Sequence, residues 1–197
     1  MLDHILLDFV ANLKSSLESS MLEKAGVEER FQIDVWLGDI SFETSYSLPG
    51  EDNPPTVRAD ISVEWPTWSQ SNFRSWTLGE GFEEGADINV EVAIRAQHRR
   101  GSLLLDDYIN SLPSRSPEMF STRFELTSVS TETAYDPNSK EKENSMEFVY
   151  DATLHLDENL IEDAVGLERE LEPFGAWTAS LLVKVSDLKL NTSGELD

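Results

Sequence analysis

The sequence predicts an α+β fold, in which an N-terminal amphipathic helix and one or two further helices pack on a mostly antiparallel β-sheet. Apolar residues recur at helical spacing near the N-terminus, and several later segments alternate apolar and polar residues. Turn residues separate these segments, and no internal repeat or clear linker divides the chain. We therefore expect a single α+β domain over residues 1–197.

The N-terminal helix is predicted over residues 2–22. Its apolar positions form one broad stripe of the kind that faces a core. The stripe consists of Leu2, Ile5, Leu6, Phe9, Val10, Leu13, Leu17 and Met21. Gly26 is expected to close the helix.

The segment 31–48 predicts two strands joined by a hairpin turn at Leu37-Gly38-Asp39. Residues 49–55 are rich in Pro and charge and predict a loop. Apolar and polar residues alternate regularly over 56–65, which predicts a third strand with one face exposed to solvent. The next segment has little periodicity, and we expect a short strand near residues 73–78.

A fourth strand is predicted over residues 88–96, and Gly101 breaks it. Ser102 suits an N-cap, so a short helix should follow it and end at Pro113. Residues 118–134 and 146–156 then predict a long hairpin with an exposed tip at 135–145. Val129 is out of phase in the first arm, which predicts a bulge near residue 127.

The C-terminal region predicts an acidic amphipathic helix over 158–171, which Pro173 and Gly175 should end. A last strand is expected at 177–185. The residues that alternate there are Trp177, Ala179, Leu181, Val183 and Val185.

The composition is strongly acidic, with 38 Asp and Glu against 15 Lys and Arg, a formal net charge of -23. Such a surface repels nucleic acid and anionic membranes. It suits a protein of a halophilic host, where salt screens the self-repulsion, although an ordinary acidic mesophile protein is the alternative. The chain has no Cys. Without a secretory start or a long apolar run, a mature, soluble chain is expected.

Catalytic patterns are not evident. The three histidines are far apart in sequence, and carboxylate pairs arise by chance among 38 acids. Nucleophile-elbow, phosphate-loop and dinucleotide signatures are missing from the sequence. We therefore expect no catalytic residue, no cofactor, no metal site and no enzymatic activity.

A basic cluster is the remaining candidate site. It comprises Arg95, His98, Arg99, Arg100, Arg115 and Arg123. Two interpretations stay open. The arginines form weak local ion pairs with Asp106, Asp107 or Glu125, or they dock an acidic partner, including another copy of the chain.

The order of elements adds a resemblance. The strand "INVEVAIRAQHRRG", the short helix "SLLLDDYINSLP" and the hairpin ending in "MEFVYDATLHL" follow an N-terminal helix. This layout resembles the tail terminator proteins of long-tailed viruses. Relative to that family, 49–85 would be insertions and the residues from 157 a C-terminal extension.

The resemblance implies a structural virion protein without a cofactor, assembled in the host cytoplasm into a six-fold ring. The ring would cap the tail tube and join it to the neck. Its expected partners are other copies of the chain, the tail-tube protein and a neck or connector protein, while DNA passes through the lumen without specific binding.

Two functions other than that of a tail terminator are the alternatives. One is a head–tail connector, which also forms a ring on the DNA path. The other is a soluble halophile binding protein with an aromatic pocket lined by Trp65, Trp68, Trp76 and Trp177.

Overall fold

The computed structural model describes residues 2–36, 38–48, 56–80, 85–98, 105–135 and 142–192. It has the predicted α+β fold, with five helices and six strands in the described part of the chain. In chain order these are α1 (Leu2–Glu23), β1 (Val27–Trp36), β2 (Asp39–Ser47), β3 (Val57–Trp65), α2 (Thr67–Thr77), β4 (Ala86–His98), α3 (Leu105–Ser111), β5 (Glu125–Tyr135), β6 (Lys142–Leu156), α4 (Glu158–Glu162) and α5 (Ala164–Thr192).

The strands form one antiparallel sheet with the order β1-β2-β3-β4-β6-β5. Trp36 pairs with Asp39, which confirms the hairpin turn between β1 and β2. β5 and β6 form the predicted long hairpin, and the pairing slips between Leu126 and Ser128, where a bulge was expected. The outer strands are β1 and β5.

Helices α1 and α5 pack against each other and cover one face of the sheet. The apolar positions of β3 and β4 are buried beneath them, because alternate side chains of a strand point to the same face. The predicted stripe of α1 is buried from Leu6 to Met21, while the side chains of Leu2 and Ile5 lie outside the described ones. In the described part of the chain, the opposite face of the sheet is polar and uncovered, and the residues of β3 and β6 on it are partly or fully exposed.

The strand expected near residues 73–78 was wrong, because residues 67–77 form α2. Phe73 is buried and packs edge-on against Trp65 and Trp76, which uses helical rather than alternating spacing. Asp39 of β2 accepts hydrogen bonds from the backbone N–H and the hydroxyl of Thr67. A side chain distant in sequence thus binds a backbone N–H group in the first turn of α2, which has no partner within the helix.

The strand expected at 177–185 was also wrong, because these residues belong to the 29-residue helix α5. The buried residues Leu167, Leu171, Phe174, Thr178, Leu182 and Val185 recur every three or four positions. The helix continues through Pro173. Packing of this stripe against α1 outweighs the loss of one backbone hydrogen bond at the proline.

The strand predicted at 118–134 starts later, at Glu125. Residues 119–122 instead form a tight turn, in which Met119 and Thr122 exchange backbone hydrogen bonds of 2.9 and 2.8 Å. Phe120 and Ser121 have positive φ angles of 51° and 58°. Burial of Phe120, whose ring is 6.4 Å from that of Phe9, holds the turn against the helix layer.

The other predicted helices and strands are confirmed within a few residues. The loop expected at 49–55 and the break at Gly101 lie outside the described residues, and residues 142–145 of the expected tip at 135–145 belong to β6. The helix expected at 102–112 is α3, although the proposed cap Ser102 lies outside the described residues. The helix expected at 158–171 is α4 together with the first turns of α5. Asp157 caps α4 by accepting a hydrogen bond from the Leu160 N–H at 2.9 Å.

Candidate interaction surfaces

The described arginines of the basic cluster each bind a carboxylate of their own chain. Arg95, on the polar face of β4, donates from Nε and Nη2 to Oε2 of Glu147, with the Nε bond at 3.0 Å. The hydrogen bond to Glu147 is the main cause that raises the pKa of the Arg95 guanidinium. This contact is a local ion pair, but its partner is not one of the acids proposed from the sequence.

Arg115 and Arg123 lie just before β5 in the chain. Arg115 is 3.0 Å from Glu125, an acid that the sequence analysis proposed as a partner. Arg123 is 3.3 Å from Glu118 and precedes β5, so it lies outside the strand. All four side chains are at least half exposed, so both ion pairs contribute little to stability.

The cluster is therefore not one compact site in the described part of the chain. Arg95 is on β4, whereas Arg115 and Arg123 approach β5, and β6 lies between these two strands. The side chain of His98, the last residue of β4, is not among those described. Arg99 and Arg100 lie outside the described residues.

The uncovered face of the sheet carries carboxylates in adjacent strands. Glu91 of β4 lies directly opposite Asp151 of β6, and Glu64 of β3 lies opposite Asn89. Burial raises the pKa of Glu91, and the charges of Asp151 and then Glu147 raise it further. Like charges in facing positions of a sheet repel each other. The part of this face around Glu64, Glu91 and Asp151 is therefore negative, whereas Arg58 and Arg95 lie nearby on the same face.

His155 also lies on this polar face, with Nδ1 2.8 Å from Oδ1 of Asp87. Among the described residues, no group of three or more His, Asp or Glu side chains is placed to hold a metal ion. No helix in the described ranges is both long and apolar enough to cross a bilayer.

The four tryptophans of the aromatic-pocket alternative lie in different surroundings. Trp65 and Trp76 both pack on Phe73, whereas Trp177 packs on Phe124, Phe174 and Tyr150. Trp65 and Trp177 are buried, and Trp68 is half exposed. Among the described side chains, Trp65 and Trp76 therefore belong to one group of ring contacts and Trp177 to another.

One surface was missed by the sequence analysis. Phe31, Ile33 and Val35 of β1 lie on the same face as the core residues of β2, yet about half or more of each side chain is exposed. Their alternation is the same as that of a buried strand. Only the position of β1 at the edge of the sheet distinguishes them.

The chain was also compared with family models, curated proteins and solved structures, and none of these comparisons found a match.

Proposed function

We propose that this chain is a structural virion protein, a tail terminator whose copies form a ring that caps a tail tube and joins it to the neck. The observation that carries the proposal is the open edge of the sheet at β5. The layout of elements that resembles tail terminators supports it as well.

Strand β5 is an outer strand of 11 residues, and most of its side chains are exposed. The outer side of its first residues is already paired, because the Leu126 N–H donates to the Ser114 carbonyl and the Ser116 N–H donates to the Phe124 carbonyl. Beyond Leu126, in the described part of the chain, the outer side offers backbone N–H and C=O groups that can pair with another chain. An exposed edge of this kind is suited to a subunit contact, because a neighbouring copy that packs on it buries these groups.

The arginines beside β5 support a contact with another acidic chain. Arg115 and Arg123 hold their present partners only through exposed ion pairs, which cost little to exchange. Every neighbouring copy carries the same excess of carboxylates, with a net charge of -23. A guanidinium can bind such carboxylates through two parallel hydrogen bonds.

The negative, uncovered sheet face also fits a ring. A surface that carries Glu64, Glu91 and Asp151 repels phosphate groups. In a ring with this face toward the lumen, DNA would pass without binding. Neighbouring copies and the tail-tube and neck proteins would then meet the other surfaces.

Charge reversal near β5 tests the proposal. We expect the Arg115→Glu/Arg123→Glu variant to remain folded and to lose the ring mass in light scattering at molar salt. Arg74→Glu is the matched control, because Arg74 is exposed near the end of α2, in a different element from the basic cluster. If the double variant formed normal rings, Arg115 and Arg123 would not take part in the subunit contact. The Arg99→Glu/Arg100→Glu variant is predicted to weaken assembly in the same way.

A further inference from the structure

The apolar strip of β1 comprises Phe31, Ile33 and Val35, with 46%, 47% and 62% of each residue exposed. It continues the core face of the sheet, since Ile33 pairs with Phe42 and the ring of Phe31 lies 5.2 Å from that of Phe42. On the inner side, the Lys14 ammonium lies 4.0 Å from the Phe31 ring centroid. An exposed, alternating apolar edge of this kind favours pairing with another strand.

The backbone shows which residues of β1 can pair outward. The Arg30 carbonyl accepts a 3.0 Å hydrogen bond from Thr44 Oγ1, so it points toward β2. Backbone direction alternates along a strand, so the N–H and C=O groups of Phe31 and Ile33 point away from the sheet.

In the described part of the chain, β2 is the only strand paired with β1, and both ends of the opposite, free edge are closed. At one end, the pairing with β2 skips Glu29, which forms a bulge. At the other end, the Val35 N–H already donates to Oδ1 of Asp34 at 2.9 Å. The free stretch therefore runs over residues 30–34, and its centre is Gln32.

This stretch is complementary to itself. An antiparallel pairing about a two-fold axis at Gln32 places Phe31 opposite Ile33 of the second copy and Arg30 opposite Asp34 of the second copy. It also sets the bulge of each chain opposite the closed Val35 position of the other. A register centred on Ile33 instead sets Phe31 against Val35, whose N–H is occupied.

We propose that β1 is a two-fold docking edge for a second copy of this chain, centred on Gln32. The pairing joins two apolar strips and forms two Arg30–Asp34 contacts, each beside the existing 2.9 Å contact of Arg30 with Glu43. Each copy carries a charge of -23, so the pair dissociates at low salt and forms at molar salt, where this repulsion is screened.

The pairing goes beyond the proposed ring and does not depend on it. Neighbours in a cyclic ring meet through two different surfaces, whereas a two-fold contact uses the same surface twice. The β1 edge therefore adds a separate contact between copies.

A single cysteine tests the register. The chain has no Cys, so Gln32→Cys introduces the only thiol. In the proposed pairing the two residues 32 form a non-hydrogen-bonded pair with Cα atoms about 4.5 Å apart, within the range of a disulfide. We expect mild oxidation at molar salt to convert most of the protein to a covalent dimer. Ser130→Cys on the polar face of β5 is the matched control and should stay monomeric on a non-reducing gel.

Mixing the two cysteine variants distinguishes the two-fold pairing from a contact between β1 and a different strand of a neighbouring copy. If β1 paired with β5 of a neighbouring copy, Gln32→Cys and Ser130→Cys would cross-link only in the mixture, and that result would overturn the two-fold pairing. Absence of any Gln32→Cys dimer would overturn it as well. A ring mass that persists in that case leaves the proposed function standing, so the two proposals fail separately.

Charge reversal tests the Arg30–Asp34 contacts. Arg30→Asp and Asp34→Arg each place like charges across the axis, and we expect each to weaken dimerisation roughly tenfold. Mixed in equal amounts, they restore both opposite-charge contacts and should form a heterodimer with the affinity of the unmodified pair. A mixture that dimerises no better than either variant alone would rule out this register.

Discussion

Gly175 of α5 lies against Ser16 of α1, so closely that a Cβ atom at residue 175 would be 2.5 Å from the Ser16 carbonyl oxygen. Ser16 Oγ also donates a 2.7 Å hydrogen bond to the Leu171 carbonyl, one turn earlier in α5. The two helices that cover the sheet therefore meet backbone to backbone at this point. Such an approach is possible only because Gly175 has no side chain.

We predict that Gly175→Ala lowers the free energy of unfolding by about 1–3 kcal/mol, because the helices must separate to admit the methyl group. Urea denaturation followed by circular dichroism measures the change. Gly166→Ala is the control, since its Cβ would meet an Asp163 side chain at the start of α5 and not the backbone of another helix, and alanine is the better helix former. Equal destabilisation by both substitutions would contradict the close approach.

Ala25→Gly is predicted to stabilise the protein by about 1 kcal/mol. Ala25 has a φ angle of 56° at the end of α1, where the Gly26 N–H donates to the Met21 carbonyl at 2.6 Å. The left-handed position is thus occupied by alanine, one residue before the glycine expected to close the helix. Thermal unfolding tests this against Ala176→Gly in the exposed interior of α5, which should destabilise by a similar amount.

Glu91→Gln should stabilise the protein at neutral pH by up to about 1 kcal/mol, because it removes a like-charge pair with Asp151. The pKa of Glu91 is raised in the folded state, so its ionisation opposes folding at pH values above that pKa. The difference from the unmodified protein should disappear in acid, once Glu91 is protonated in both states. Glu64→Gln, opposite the neutral Asn89, is the control and should change stability less.

Asp39→Ala should lower the melting temperature at neutral pH, because α2 loses the acceptor for Thr67. The hydrogen bonds from the Thr67 hydroxyl and backbone lower the pKa of Asp39. The pH dependence is therefore opposite to that of Glu91. The stabilisation by the Asp39 carboxylate is present above its unfolded-state pKa and is lost as the pH falls through its folded-state pKa. A melting difference that does not shrink in acid would contradict the role of the ionised carboxylate.

The sequence predicted correctly those elements whose apolar spacing fits only one kind of secondary structure. Alternation in β3 and β6 and the helical stripe of α1 correspond to single buried faces. In residues 177–185, by contrast, a buried helix and a strand bury overlapping residues, since Trp177, Ala179, Leu181 and Val185 belong to both patterns. Only the contact with α1 decides between them.

The candidate surfaces were less predictable for a related reason. Whether arginines meet depends on strand order, and β6 separates β4 from β5. Whether an alternating strand such as β1 is buried depends on its place in the sheet, which local spacing does not encode. Edge strands and their free backbone groups therefore became visible only in the folded chain.

The mass of the protein in solution at molar salt tests the central claim most directly, that this chain works through contacts with other protein chains. We expect a discrete assembly whose mass is a multiple of the 22.2 kDa chain, with a six-membered species for the proposed ring. A single species of 22.2 kDa at every salt and protein concentration would contradict it.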